Sequence, residues 1–213
     1  MSAALLSPDN TAILMIDHAV GFGNLFRSHE LTVHVNSAVA LARTAHLYGV
    51  PLTVTHGRDT DPPGPIFPAL RAELAAGEIV VRDGGFDALA HPGVRERLSA
   101  AGRRHLIVSG LMTEGCVLQT GLSAIRQGLH LYVVEDAVAG ETPLSHRAAM
   151  ARLTAAGAIP VTWLSLATEY QGSWGRGETV RGYTDLIRDH SPALGANLVA
   201  LEARQDAGPA VRG

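Results

Sequence analysis

The chain has 213 residues and a net charge of −3, with 46% hydrophobic and 17% charged residues. That length suits one domain with a sizeable core, while the absence of a basic block argues against nucleic acid as a partner, and no apolar run is long enough to span a membrane. The single cysteine, Cys116, excludes an internal disulfide and a multi-cysteine metal cluster.

One cysteine also fits a reducing compartment, and the start MSAALLSPDN lacks the basic and apolar regions of a secretory signal, so a cytoplasmic location is expected. The charged fraction lies below the roughly 25% of an average soluble domain and the mean hydropathy is positive. Buried apolar surface between subunits, and hence a homo-oligomer, is expected. Every basic residue among the 17 Lys+Arg positions is an arginine.

In chain order, Thr11 to Ile16 (TAILMI) is a β-propensity run that stops at Asp17-His18, the layout of a buried strand with a polar group at its carboxyl end. Asp17 is a site candidate because open parallel sheets bind ligands at those ends; the alternative is an aspartate that caps a turn. Ala19 to Phe26 is glycine-rich and aromatic and reads as a loop, with Phe22 and Phe26 either lining a pocket or packing beneath it. Leu31 to Tyr48 has helical apolar spacing and ends at Gly49. A second strand, Val50 to Thr55, leads into HGRDTDPPGPIFP, whose prolines and glycines exclude regular structure. His56 and Asp59 are metal-ligand types, but no second histidine stands at ligand spacing, so no metal is expected.

Pro68 to Ala76 reads as a short helix and Glu78 to Val81 as a strand ending at Arg82. Arg82 is either a second strand-end site residue or a salt-bridged surface residue. Val94 to Gly102 gives another helix. Next comes a strand around Leu106-Ile107-Val108, a loop, a helix from Val117 to Gln127, and a strand from Leu129 to Val134. Cys116 falls where the loop enters the helix. There the unpaired N–H groups and the helix dipole favour thiolate, although a free cysteine is as commonly a small buried hydrophobe. Ser145 to Ala156 is helical, Ile159 to Leu164 is the last strand, and a tail begins with Leu166 to Trp174. Helix-capable stretches near Glu178 to Asp189 and Leu194 to Arg204 carry too few apolar residues for a core of their own, and are expected to pack on the body or on a neighbouring subunit.

Asp17, Arg82 and Cys116, in that order, resemble the isochorismatase-like cysteine hydrolases, a family that includes nicotinamidases and N-carbamoylsarcosine amidohydrolase. The resemblance runs from Thr11 to Trp174 through ILMIDH, VVRDGGFDAL, LIVSGLMTEGCV and SAIRQGLHLYVVEDA. The ending GAIPVTW and the tail resemble a bacterial subgroup of oligomeric hydrolases. The resemblance implies an α/β fold: three α-β-α layers, a six-stranded, mostly parallel sheet over residues 1–175, and a C-terminal helical extension over 176–213. It implies an Asp-Lys-Cys triad, in which Arg82 stands at the lysine position and Ala19 where a glutamine is frequent. It also implies a cis peptide between Leu111 and Met112, with the N–H groups of Met112 and Cys116 forming an oxyanion hole. His18, Phe22, Phe26, Leu111 and Thr113 are the expected pocket lining.

The family's metal ligands are not reproduced, since His56-Gly57-Arg58-Asp59 has the wrong spacing, and no cofactor is expected. The implied activity is hydrolysis of a small amide, carbamoyl or nitrile-like substrate through a thioester-type intermediate. The alternatives are a non-catalytic oligomeric scaffold and a vinyl ether hydrolase, the latter disfavoured by Cys116.

Overall fold

The computed structural model describes residues 5–206; residues 1–4 and the end of the extension, 207–213, lie outside the described part. Six strands form one sheet in the order β3-β2-β1-β4-β5-β6, and every pairing is parallel. The strands are β1 (Thr11–Ile16), β2 (Leu52–His56), β3 (Ile79–Val81), β4 (His105–Leu111), β5 (His130–Ala139) and β6 (Ile159–Val161). The expected architecture is therefore present, with a sheet that is wholly parallel.

Strand periodicity explains the layers. Successive side chains point to opposite faces, so Ile13 and Met15 of β1 enter one apolar cluster while Leu14 and Ile16 enter the other. The first cluster is covered by α1 (Leu31–Tyr48), α6 (Trp163–Gln171) and α7 (Val180–His190), and α2 (Pro68–Glu73) adds Leu70 to it. The second is covered by α3 (Pro92–Ala101), α4 (Leu118–Arg126) and α5 (Pro143–Ala155). Both faces are buried, as an all-parallel sheet requires, which is why the strands read as continuous apolar runs.

The helix ends follow local chemistry. Thr142 and Thr162 accept N–H bonds from Ser145 and Ser165 at 3.0 and 3.1 Å and so cap α5 and α6. Gly49 ends α1 in the left-handed conformation at φ 66°.

Three segments differ from the sequence reading. The last strand stops at Val161 and Thr162 opens α6, so the stretch read as the start of a tail is a core helix that buries Leu166, Ala167 and Tyr170. The region from Pro68 to Ala76 is shorter as a helix and ends at Glu73. Strand β5 continues past Val134 to Ala139, because a register shift against β4 between Val108 and Gly110 lets pairing resume at Val138.

Within the extension, α7 buries Tyr183, Leu186 and Ile187 in the first cluster, and Tyr183 shares a 2.8 Å hydroxyl bond with Thr168 of α6. Helix α8 (Pro192–Asp206) lies against α7, where Arg188 pairs with Glu202. Among the described residues no helix is long and apolar enough to cross a membrane.

Candidate active site

The carboxyl ends of β1, β2, β3 and β4 open into one cavity of about 370 Å³, lined by Asp17, Arg82 and Cys116 together with Phe22, Phe86 and the Pro62-Pro63 turn. Asp17 directly follows β1. Its backbone adopts a left-handed φ of 52°, a conformation that aspartate tolerates better than most side chains and that is found at sites where geometry is held against local preference. The neighbouring strand end fixes it, since its N–H donates to the Thr55 carbonyl at 2.9 Å and its Oδ1 accepts from the Thr55 hydroxyl at 3.0 Å.

Arg82 follows β3 at the sheet edge, and its side chain reaches inward over the ends of β2 and β1. Its Nε donates to Asp17 Oδ1 at 3.2 Å while Nη2 bonds Asp17 Oδ2, which makes a two-pronged ion pair. The same Nη2 lies 3.3 Å from Cys116 Sγ, and Nη1 bonds the carbonyl of Gly85. All three residues are buried, with 7, 5 and 8% exposure for Asp17, Arg82 and Cys116. Burial opposes the Arg82 charge, but Asp17 and then Cys116 outweigh it and raise its pKa above the ordinary arginine value.

Cys116 sits in an irregular turn, Thr113–Val117, two residues before α4; Gly115 within that turn is not helical. The Leu111-Met112 peptide that leads into it is cis. Burial pushes the Cys116 thiol up to about 11, Asp17 adds to the rise, and Arg82 opposes both. Of the two sequence readings of Cys116, a helix-end thiolate and a small buried residue, this shift favours the protonated, buried form at neutral pH.

Phe22 lines the cavity; the other four expected lining residues stand elsewhere. His18 is fully buried, with Nε2 2.9 Å from the Ser109 hydroxyl and Nδ1 3.2 Å from His34 Nε2. Burial lowers its pKa to about 3, so the ring is a neutral structural link between β1, β4 and α1. Phe26 packs with its ring centroid 5.1 Å from that of His34. Leu111 is enclosed in the first apolar cluster. Thr113 is buried and bonds His146 Nδ1 at 3.0 Å.

Thr55, Phe86, Asp61 and Asp83 are at the site without having been singled out in the sequence. The signal for Thr55 was its position at a strand end, level with Ile16 in the β1–β2 register. His56 and Asp59 approach only to 3.7 Å, and among the described residues no group of three or more His, Cys, Asp or Glu is placed to hold a metal ion.

Comparison with known proteins gives the family and the fold. The Isochorismatase domain matches residues 11–165. The probable hydrolase YcaC of Escherichia coli strain K12 is 31% identical over 187 residues, covering 88% of this chain and 89% of YcaC. The structure of YcaC from Pseudomonas aeruginosa with hexane-2,5-diol and covalent acrylamide superimposes with a TM-score of 0.88 at 30% identity, covering 95% of this chain and 99% of the other. The ycaC gene product of E. coli, an octameric hydrolase of unknown specificity, gives 0.89 at 28% identity, covering 95% and 98%. With a domain match that spans all six strands, the chain belongs to the isochorismatase-like hydrolase family.

Proposed function

We propose that this protein is a cysteine-dependent hydrolase of a small amide or related C–N substrate, with Asp17, Arg82 and Cys116 as its working groups. The observation that carries the reading is the convergence of sulfur, guanidinium and carboxylate in one cavity, with Arg82 touching both of the others. Because the thiol sits at about 11, little thiolate exists at neutral pH, and the proton leaves as the S–C bond forms. Asp17 takes that proton while Cys116 Sγ attacks the carbonyl carbon. The C–N bond then breaks, Asp17 returns the proton to the departing amine, and an acyl thioester remains. Water attacks the thioester, Asp17 accepts a water proton and passes it to the sulfur, and the carboxylic acid leaves.

In this scheme the backbone N–H groups of Met112 and Cys116 hold the developing oxyanion. Arg82 stays charged throughout, since guanidinium does not trade protons at accessible pH, so its part is electrostatic: it steadies the sulfur as charge develops there. Acrylamide is an electrophile to which thiols add, so the covalent acrylamide in the P. aeruginosa relative supports a reactive thiol here. The octameric E. coli relative supports a homo-oligomer.

A second reading is favoured by the same ion pair. With both carboxylate oxygens of Asp17 engaged by Arg82, the base is withdrawn and the protein is a scaffold that kept the fold. The two readings separate on one experiment: incubation with a library of small amides and nitriles, followed by mass spectrometry of intact protein. A hydrolase gives an acyl mass on Cys116 and turnover that Cys116→Ala abolishes; a scaffold gives neither.

A further inference from the structure

The charges around the cavity are unequal. Among the described residues its lining carries the carboxylates of Asp17, Asp61 and Asp83 against a single cation, Arg82. That cation is fully engaged, by Asp17, by Cys116 and by the Gly85 carbonyl, and the sequence holds no lysine to supply another. Asp61 is fixed in place, with Oδ2 accepting the Arg58 N–H at 2.8 Å. The wall beside it is Pro62-Pro63, which has no N–H to offer an anion. Phe22 and Phe86 add aromatic faces, and Phe86 is 67% exposed; such faces attract cations.

A cleft with an excess of one sign of charge concentrates ligands of the other sign, and a carboxylate entering here would meet Asp61 and Asp83 with the Arg82 charge already paired to Asp17. We infer that the site selects compact amides that carry a cationic group, such as an ammonium or trimethylammonium, over neutral ones, and excludes carboxylates. This selection rests on the thiol-hydrolase reading, since it names the substrate class of the same cavity.

The test uses three acrylamides of matched size whose nitrogen carries a trimethylammonium-ethyl, a tert-butyl-ethyl or a carboxyethyl group. In each, the Cys116 S–H adds across the C=C bond: an S–C bond forms at the β-carbon and the proton ends on the α-carbon. Adduct formation is followed by mass spectrometry of full-length protein at fixed, mildly alkaline pH, and each rate is divided by that with a free small-molecule thiol. The expected order is cationic, neutral, anionic, with a cation-to-anion ratio of about tenfold or more at low ionic strength that narrows as salt rises. In the Asp61→Asn, Asp83→Asn double variant the ratio falls toward one.

Equal or reversed order in the wild-type protein, or a ratio that does not respond to salt, overturns the charge selection alone, and neither measurement depends on the variant folding. Failure of all three to modify Cys116 overturns the hydrolase reading itself.

Discussion

The guanidinium of Arg82 meets the sulfur of Cys116 at 3.3 Å, although the residues are 34 positions apart and the strands that present them are separated by β2 and β1. Only a long side chain makes that span, and the planar fork of arginine also lets it hold Asp17 at the same time. Arg82→Ala removes the charge that pairs with a buried carboxylate, and is expected to cost about 3 to 5 kcal/mol of stability at neutral pH, read from the shift in the urea midpoint. Arg82→Lys keeps the cation but not the fork. Retained amide turnover with an intermediate loss of stability is expected; complete loss of turnover in a folded Arg82→Lys protein would show that the role needs the geometry of arginine.

The raised thiol makes a prediction in pH. With Cys116 at about 11, the thiolate fraction climbs about tenfold per pH unit through the neutral range. Alkylation by an uncharged reagent such as iodoacetamide should climb with the same slope and show no plateau near neutrality. A flat rate between mildly acidic and mildly alkaline pH would mean that the thiolate is already present, and that burial is not what governs the sulfur.

What the sequence revealed depends on how each residue is presented to its strand. Asp17 and Arg82 each follow an unbroken apolar run, and Cys116 follows one after a short loop, so the strand-end rule singled out three residues that the fold brings into contact. Thr55 obeys the same rule but sits inside its β-branched run, where a threonine reads as one more strand former. His18 was misplaced because its neighbour turns the chain: the left-handed φ of Asp17 breaks the strand alternation and sends the imidazole into the core toward Ser109 and His34.

The surroundings of Cys116 were legible only in part. The helix terminus is visible in sequence, whereas the burial of the sulfur and the nearness of Asp17 arise only once four strands are aligned. Helix α6 was missed because WLSLATEYQ continues directly from β6, and only the Thr162 cap divides them. The register shift that lengthens β5 has no local signature at all, since it depends on the partner strand.

Gly110 of β4 packs tightly against Ile16 at the end of β1, below the site. Its φ is 144°, and a Cβ there would overlap the carbonyl oxygen and side chain of Ile16. Gly110→Ala therefore forces the two central strands apart just beneath Asp17. A loss of about 3 kcal/mol or more is expected, together with lower amide turnover, measured by denaturant unfolding and a kinetic assay on the same sample.

Asp136 gives a stability signature with a definite sign. Burial raises its pKa to about 6, with the Trp163 N–H bond at 3.1 Å working against the rise. Its folded pKa lies above the unfolded value, so its contribution is fully present below the unfolded pKa and is lost as pH rises through about 6. Asp136→Asn keeps an acceptor for Trp163 without the charge. The variant should gain on the wild type as pH rises from the ordinary carboxylate range through the folded value, a trend visible in paired urea midpoints; parallel profiles would show that Asp136 ionises freely.

The most direct test of the account is turnover and trapping on one preparation. Among small amides presented to the intact protein, at least one should be hydrolysed with an acyl group caught on Cys116, and Cys116→Ala should lose both the trapped mass and the turnover. Hydrolysis that persists at an equal rate in Cys116→Ala would contradict the covalent role given to the sulfur.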